Sequence, residues 1–178
     1  MRRYTQITIA IHWLTAVLVV IAWFTAVGGR HARTDPSYVH FTVGLAVLLL
    51  VVPRLLARWL GAAPRVEDPQ SRWMDLAARA GHTLLYLFLI ALPLSGWYAA
   101  SRLGVPVSFL GLDLPALAAP VQGAPGQIAE LHETAGTLIL WLAGAHALVA
   151  IWHQFILKDG TLERMNPLVS NDLAGGRD

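Results

Sequence analysis

His132 and His146 lie fourteen residues apart in the mostly apolar run from Ile128 to Leu157, and His153 follows them. In a helix of 1.5 Å rise the first two sit ~21 Å apart along the axis and, at about 100° per residue, within roughly 40° of one face. One helix then offers an imidazole nitrogen near each side of a bilayer whose hydrocarbon core is ~30 Å thick. Imidazole ligates metals when neutral and moves protons near neutral pH. His12, His40 and His82 sit in other apolar runs, so facing helices can complete pairs with the two on the last.

The elements that must position them are membrane helices. The 178 residues are 56% hydrophobic and 13% charged, with mean hydropathy +0.54, against roughly 45–50% apolar and about 25% charged in soluble domains. The chain reads as an all-α integral membrane protein, a single transmembrane domain over 1–178 whose length is taken up by spans. Ile7 to Val27 is an uncharged run of 21 residues behind Arg2 and Arg3. That is too long for a cleavable signal segment of about 7–15 apolar residues, so a retained first helix is expected.

Helices are thus expected at 7–27, 38–56, 76–99 and 128–157, the second interrupted late by Pro53 and the third carrying Pro93, which a membrane bundle tolerates. Ala100 to Gln127, with Pro106, Pro115, Pro120 and Pro125, is too broken to span and too apolar for a free linker. With no cysteine there is no disulfide, no thiolate-held cluster and no covalent haem attachment. The net charge of +2 is better explained by membrane orientation than by nucleic acid.

Cations sort by side. Arg2, Arg3, Arg54, Arg58, Arg65, Arg72, Arg79, Lys158, Arg164 and Arg177 fall on one side, against Arg30, Arg33 and Arg102 on the other. The positive-inside rule then gives an up-and-down four-helix bundle with both termini cytoplasmic. Tyr38, Trp59, Trp73, Trp97, Tyr98 and Trp152 lie near span ends, as an aromatic belt requires.

This topology gives each histidine a depth. His40 and His132 share the outer level, whereas His146 shares the inner level with His12 and His82. A flat macrocycle needs a small residue one turn from its ligand. Gly44, Gly136, Ala16 and Ala150 follow His40, His132, His12 and His146 at that spacing, but Tyr86 follows His82 and Leu157 follows His153. The expected pairs are His12 with His146 and His40 with His132. Two imidazoles supply half of what zinc wants, whereas haem iron, already held by four porphyrin nitrogens, needs two axial ligands. Met1, Met74 and Met165 lie outside the spans, so both ligands of each haem b should be histidine.

The chain resembles the bacterial cytochrome b561 family over nearly its whole length. The likeness is carried by I-H-W at Ile11 to Trp13, V-H-F-T-V-G at Val39 to Gly44, A-G-H-T-L-L-Y at Ala80 to Tyr86 and L-H-E-T-A-G at Leu131 to Gly136. G-A-H-A at Gly144 to Ala147 and H-Q-F-I-L-K-D-G-T-L-E-R-M at His153 to Met165 continue it. The resemblance implies two haem b groups on the same four histidines and quinone-linked electron transfer in the bacterial inner membrane. It implies superoxide oxidation on the periplasmic side with ubiquinone as acceptor. Related di-haem subunits anchor periplasmic hydrogenases or formate dehydrogenases.

Arg30, Arg33 and Arg102, with His31, make the outer loops positive and would steer a small anion to the outer haem, unless they pair with haem propionates or lipid head groups. The Pro-rich segment would cover that haem as a lid or dock a partner. At the inner end His153, His82 and Arg79 are the candidates for quinone contact and proton delivery. The rivals are an anchor subunit for a periplasmic dehydrogenase and a haem-free metal or proton transporter. The latter is weakened because acidic groups in the spans are limited to Glu130 and Glu133.

Overall fold

The computed structural model describes residues 3–26, 36–60, 72–122 and 126–168. Four of its helices are long and apolar enough to cross a membrane: α1 (Gln6–Phe24), α2 (Tyr38–Leu60), α3 (Arg72–Leu103) and α4 (Gln127–Trp152, prolonged by a π turn at His153–Leu157). Thr5 caps α1, its side chain accepting from the Thr8 N–H. α2 runs through Pro53 without a break and α3 through Pro93, and α3 extends beyond 76–99 at both ends. Sequence hydropathy stops where side chains turn polar, whereas a helix continues into the interface, where Trp73 and Arg102 can reside.

α1 packs chiefly on α2, α2 on α3, and α3 on α4. α1 and α4 meet only marginally, and α2 and α4 scarcely touch. Both expected histidine pairs bridge these loosely packed helices. Val47, Val51, Leu89 and Ile139 form a buried cluster at mid-depth. Most other large apolar side chains, such as Val52, Leu87, Trp141 and Leu148, point outward, as lipid-facing residues do.

The Pro-rich segment has a fold of its own. Gly104 (φ 72°) ends α3 with bonds from its own N–H to Ser101 O and from Val105 N–H to Ala100 O, a Schellman stop that needs the glycine. A two-stranded hairpin follows, β1 (Ser108–Phe109) and β2 (Leu112–Asp113), paired antiparallel in the register Ser108 to Asp113 and Phe109 to Leu112. Its turn residues Leu110 and Gly111 both have positive φ, 51° and 84°, as the tightest hairpin turns demand. Val105 and Val107 bury against Leu45, Ala100 and Phe41. Trp97 donates its indole N–H to Pro115 O, and Ser101 Oγ accepts from Leu117 N–H. The segment is therefore a cap seated on the α2 and α3 ends, beside the His40 turn.

At the opposite end the tail folds back under α1. Trp13 donates to Met165 O at 2.8 Å, Arg3 donates to the Asn166 and Glu163 carbonyls, and Tyr4 N–H reaches Arg164 O. The described start and end of the chain thus lie together, as an up-and-down four-helix bundle requires.

Candidate functional site

At the capped end α2 presents His40 and α4 presents His132, with ring centroids 5.9 Å apart. Each ring is held at Nδ1. His40 Nδ1 donates to Ala22 O at 2.7 Å and His132 Nδ1 to Leu92 O at 3.0 Å, with Ser95 Oγ also 3.1 Å from it. A carbonyl can only accept, so both neutral rings carry the proton on Nδ1 and leave the Nε2 lone pair free. Metal-ligating histidines are oriented in the same way.

Gly96 makes this possible for His132. A Cβ there would fall 2.7 Å from the ring's Cε1, so glycine alone lets α3 approach so closely. One turn from each histidine, Gly44 and Gly136 have nothing within 4 Å of where a Cβ would stand.

At the tail end three histidines converge. His146 of α4 lies 6.3 Å from His12 of α1 and 5.1 Å from His82 of α3, centroid to centroid. With metal–imidazole bonds of about 2.0 Å and about 1.1 Å from ring nitrogen to ring centre, two trans ligands place their centroids ~6.2 Å apart. His12 with His146 and His40 with His132 match that spacing, whereas His82 stands too close to His146. Sequence depth alone left His12 and His82 to be separated by their neighbours, Ala16 and Tyr86. Among the described residues no three His, Cys, Asp or Glu side chains are placed to chelate a bare metal ion, so the donor set suits a metal that brings its own equatorial ligands.

The other candidates scatter. His153 Nδ1 pairs with Asp159 Oδ2 at 2.6 Å, inside a cap where Asp159 Oδ1 also accepts from the Thr161 N–H and hydroxyl, and Arg164 donates to Asp159 O. Partial burial raises the Asp159 carboxyl, but hydrogen bonds from Thr161 and His153 outweigh it and hold the group below its ordinary value. Arg79 is exposed on α3, less than one turn from His82. Arg102 is half-buried and donates to Ala119 O, so it braces the cap. Arg30, His31 and Arg33 lie outside the described residues.

Two contributors escaped the sequence. Arg54 donates from Nη2 to His12 Nδ1 at 2.8 Å, and Gly96 cradles His132. The signals were a cation inside an apolar run and a glycine between Ser95 and Trp97, but the partner of each depends on helix rotation.

A family model described as prokaryotic cytochrome b561 matches residues 3–167. Cytochrome b561 homolog 1 of Escherichia coli (strain K12) is 31% identical over 173 residues, covering 94% of this chain and 98% of that protein. Cytochrome b561 homolog 2 of the same strain is 32% identical over 180 residues, 96% of this chain and 94% of the other. A Yersinia pestis protein named "Probable superoxide oxidase CybB" is 30% identical over 170 residues, 93% of this chain and 97% of the other.

Proposed function

The chain belongs to the prokaryotic cytochrome b561 family of membrane electron-transfer proteins, and on that premise we propose that it carries electrons across the bacterial inner membrane through two haem b groups. His12 and His146 hold one, His40 and His132 the other. The observation that carries this reading is the pair of imidazole separations, 6.3 and 5.9 Å, at opposite ends of one bundle. A haem with two histidine ligands supplies one-electron transfer at its edge and has no open position for a substrate.

The orientation follows the cations: the tail end, with most Lys and Arg, faces the cytoplasm and the capped end the periplasm. Superoxide is the donor at the capped end and ubiquinone the acceptor. Support comes from the name of the Yersinia pestis relative and from the positive outer charge of Arg30, Arg33 and Arg102, which concentrates a small anion. His82, the histidine of the inner cluster that does not fit as a ligand, is the best placed of His82, His153 and Arg79 to deliver a proton to a quinone bound there.

Leu110 and Leu112 at the hairpin tip are exposed, and they favour a second reading in which the cap docks a periplasmic dehydrogenase. Superoxide-dependent reduction of a soluble ubiquinone by the purified chain alone tests the choice. Turnover without added protein supports the self-contained oxidase; no superoxide-dependent turnover, with quinone reduced instead at the expense of a co-purified dehydrogenase's substrate, supports the anchor.

A further inference from the structure

Arg54 follows Pro53 in a membrane span, and its surroundings are unusual for a cation. Its Nη2 lies 2.8 Å from His12 Nδ1, its Cζ lies 5.5 Å from the centre of the Tyr86 ring, and its Nε is buried without an acceptor. Among the described residues no carboxylate pairs with it. A cation inside the membrane requires a partner, and an N–H buried without an acceptor carries a further desolvation cost. The site calls for an anion with more than one acceptor atom.

The contact with His12 has a chemical consequence. A guanidinium can only donate, so His12 Nδ1 accepts and the neutral ring keeps its proton on Nε2. That tautomer cannot ligate a metal through Nε2, whereas the carbonyl-held rings of His40 and His132 can. The Arg54 contact and Nε2 ligation by His12 are mutually exclusive. Arg54 must therefore turn to another acceptor beside the same ring when His12 serves as a ligand.

Resting on the haem reading above, we propose that Arg54 binds a carboxylate side arm of the inner haem, in doing so freeing His12 Nδ1 to carry its proton and Nε2 to ligate. The guanidinium fork matches a planar carboxylate in two parallel hydrogen bonds, which would also satisfy the orphan Nε. Tyr86 covers the guanidinium face and fixes its plane. The positive charge also favours the reduced form of the haem it touches, so Arg54 sets the inner potential and leaves the outer one alone.

The test compares wild type with Arg54→Gln and Arg54→Lys, each loaded with haem labelled with carbon-13 at its propionate carboxyls. Potentiometric titration and redox-difference infrared spectra are the readouts. In Arg54→Gln the inner haem should become about tenfold harder to reduce, a fall of ~59 mV for one electron, with a shifted labelled-carboxylate band and an unchanged outer haem. Arg54→Lys should recover the potential but not the band, because it restores the charge without the fork. If Arg54→Gln fails to assemble the inner haem, the band of Arg54→Lys decides: shifted supports the contact, unshifted overturns it. Two haems in Arg54→Gln with both potentials and the band unchanged overturn this inference alone; a wild type without haem overturns the haem reading and this inference with it. A band that moves only in the unlabelled phosphate region assigns Arg54 to lipid and also overturns it.

Discussion

Gly96→Ala should disable the outer haem while leaving the fold nearly intact. The added methyl would stand 2.7 Å from His132 Cε1, 3.2 Å from Nδ1 and 3.3 Å from Nε2. To restore ordinary contact the ring must retreat by about 0.7 Å, against the restraint of Leu92 O at 3.0 Å and Ser95 Oγ at 3.1 Å. Overpacking of this kind costs about 1–3 kcal/mol, while replacing glycine by alanine in a helix returns ~1 kcal/mol. The net loss of fold stability is thus at most about 2 kcal/mol. The ligand is hit harder, because a displacement of about 0.7 Å is a large fraction of a ~2.0 Å metal–nitrogen bond.

Purified Gly96→Ala should therefore carry one haem b per chain by pyridine haemochrome, or a second haem with lost low-spin character, and the inner haem should be spectrally unchanged. Gly81→Ala is the control: Gly81 is not one turn from any of the four proposed ligands and its added Cβ meets no protein atom within 4 Å, so it should keep the full haem content of wild type. Gly96→Ala with two haems and an unaltered outer spectrum and potential would refute the cradle and the ligand role it serves.

His82→Ala should retain both haems, since His82 stands too close to His146 to be its trans partner, and quinone reduction should slow at least several-fold; loss of the inner haem in His82→Ala but not in His12→Ala would reverse the ligand assignment. Replacing Arg30 and Arg33 together by Gln should lower the rate of superoxide-dependent quinone reduction and flatten its fall with salt, as read by stopped-flow at ionic strengths either side of about 0.1 M; an unchanged salt slope removes the steering role. Asp159→Asn should loosen the turn at 158–166 at neutral pH, seen as faster amide exchange there. The folded Asp159 carboxyl lies below its ordinary value, so its stabilisation is present above the unfolded value and disappears as pH falls through the folded one. Wild type and variant should then exchange alike in acid; equal exchange at pH 7 would show that the pair with His153 contributes nothing.

The spans were legible because an uncharged run of some twenty residues has few other uses, and the bundle follows from their number. Helix ends were less so: α3 begins at Arg72 rather than Leu76 because interfacial Trp73 and Met74 are helical but not part of the apolar run. The four histidines expected to pair sort by depth because α4 spaces His132 and His146 by nearly whole turns, and the small residue one turn from His12, against Tyr86 one turn from His82, favours His12 as the partner of His146. Arg54 was counted in sequence with the cytoplasmic cations, yet it points into the bundle onto His12. Nothing local determines the rotation of α2 that brings it there. In sequence His153 is a candidate for quinone contact at the inner end; that it pairs with Asp159 depends on the π turn and the left-handed Lys158 (φ 55°), which bring Asp159 back onto it. The fold of residues 104–122 depended on a glycine stop, a two-residue turn and burial of Val105 and Val107 on α2, a contact between segments distant in sequence.

The most direct test of the account is the dithionite-reduced minus oxidised spectrum with pyridine haemochrome quantitation of purified wild type, His40→Ala and His12→Ala. Two haems b per chain are expected in the wild type and the loss of one, a different one, in each variant. A well-folded, haem-supplemented wild type without haem, or variants that keep both, would contradict it.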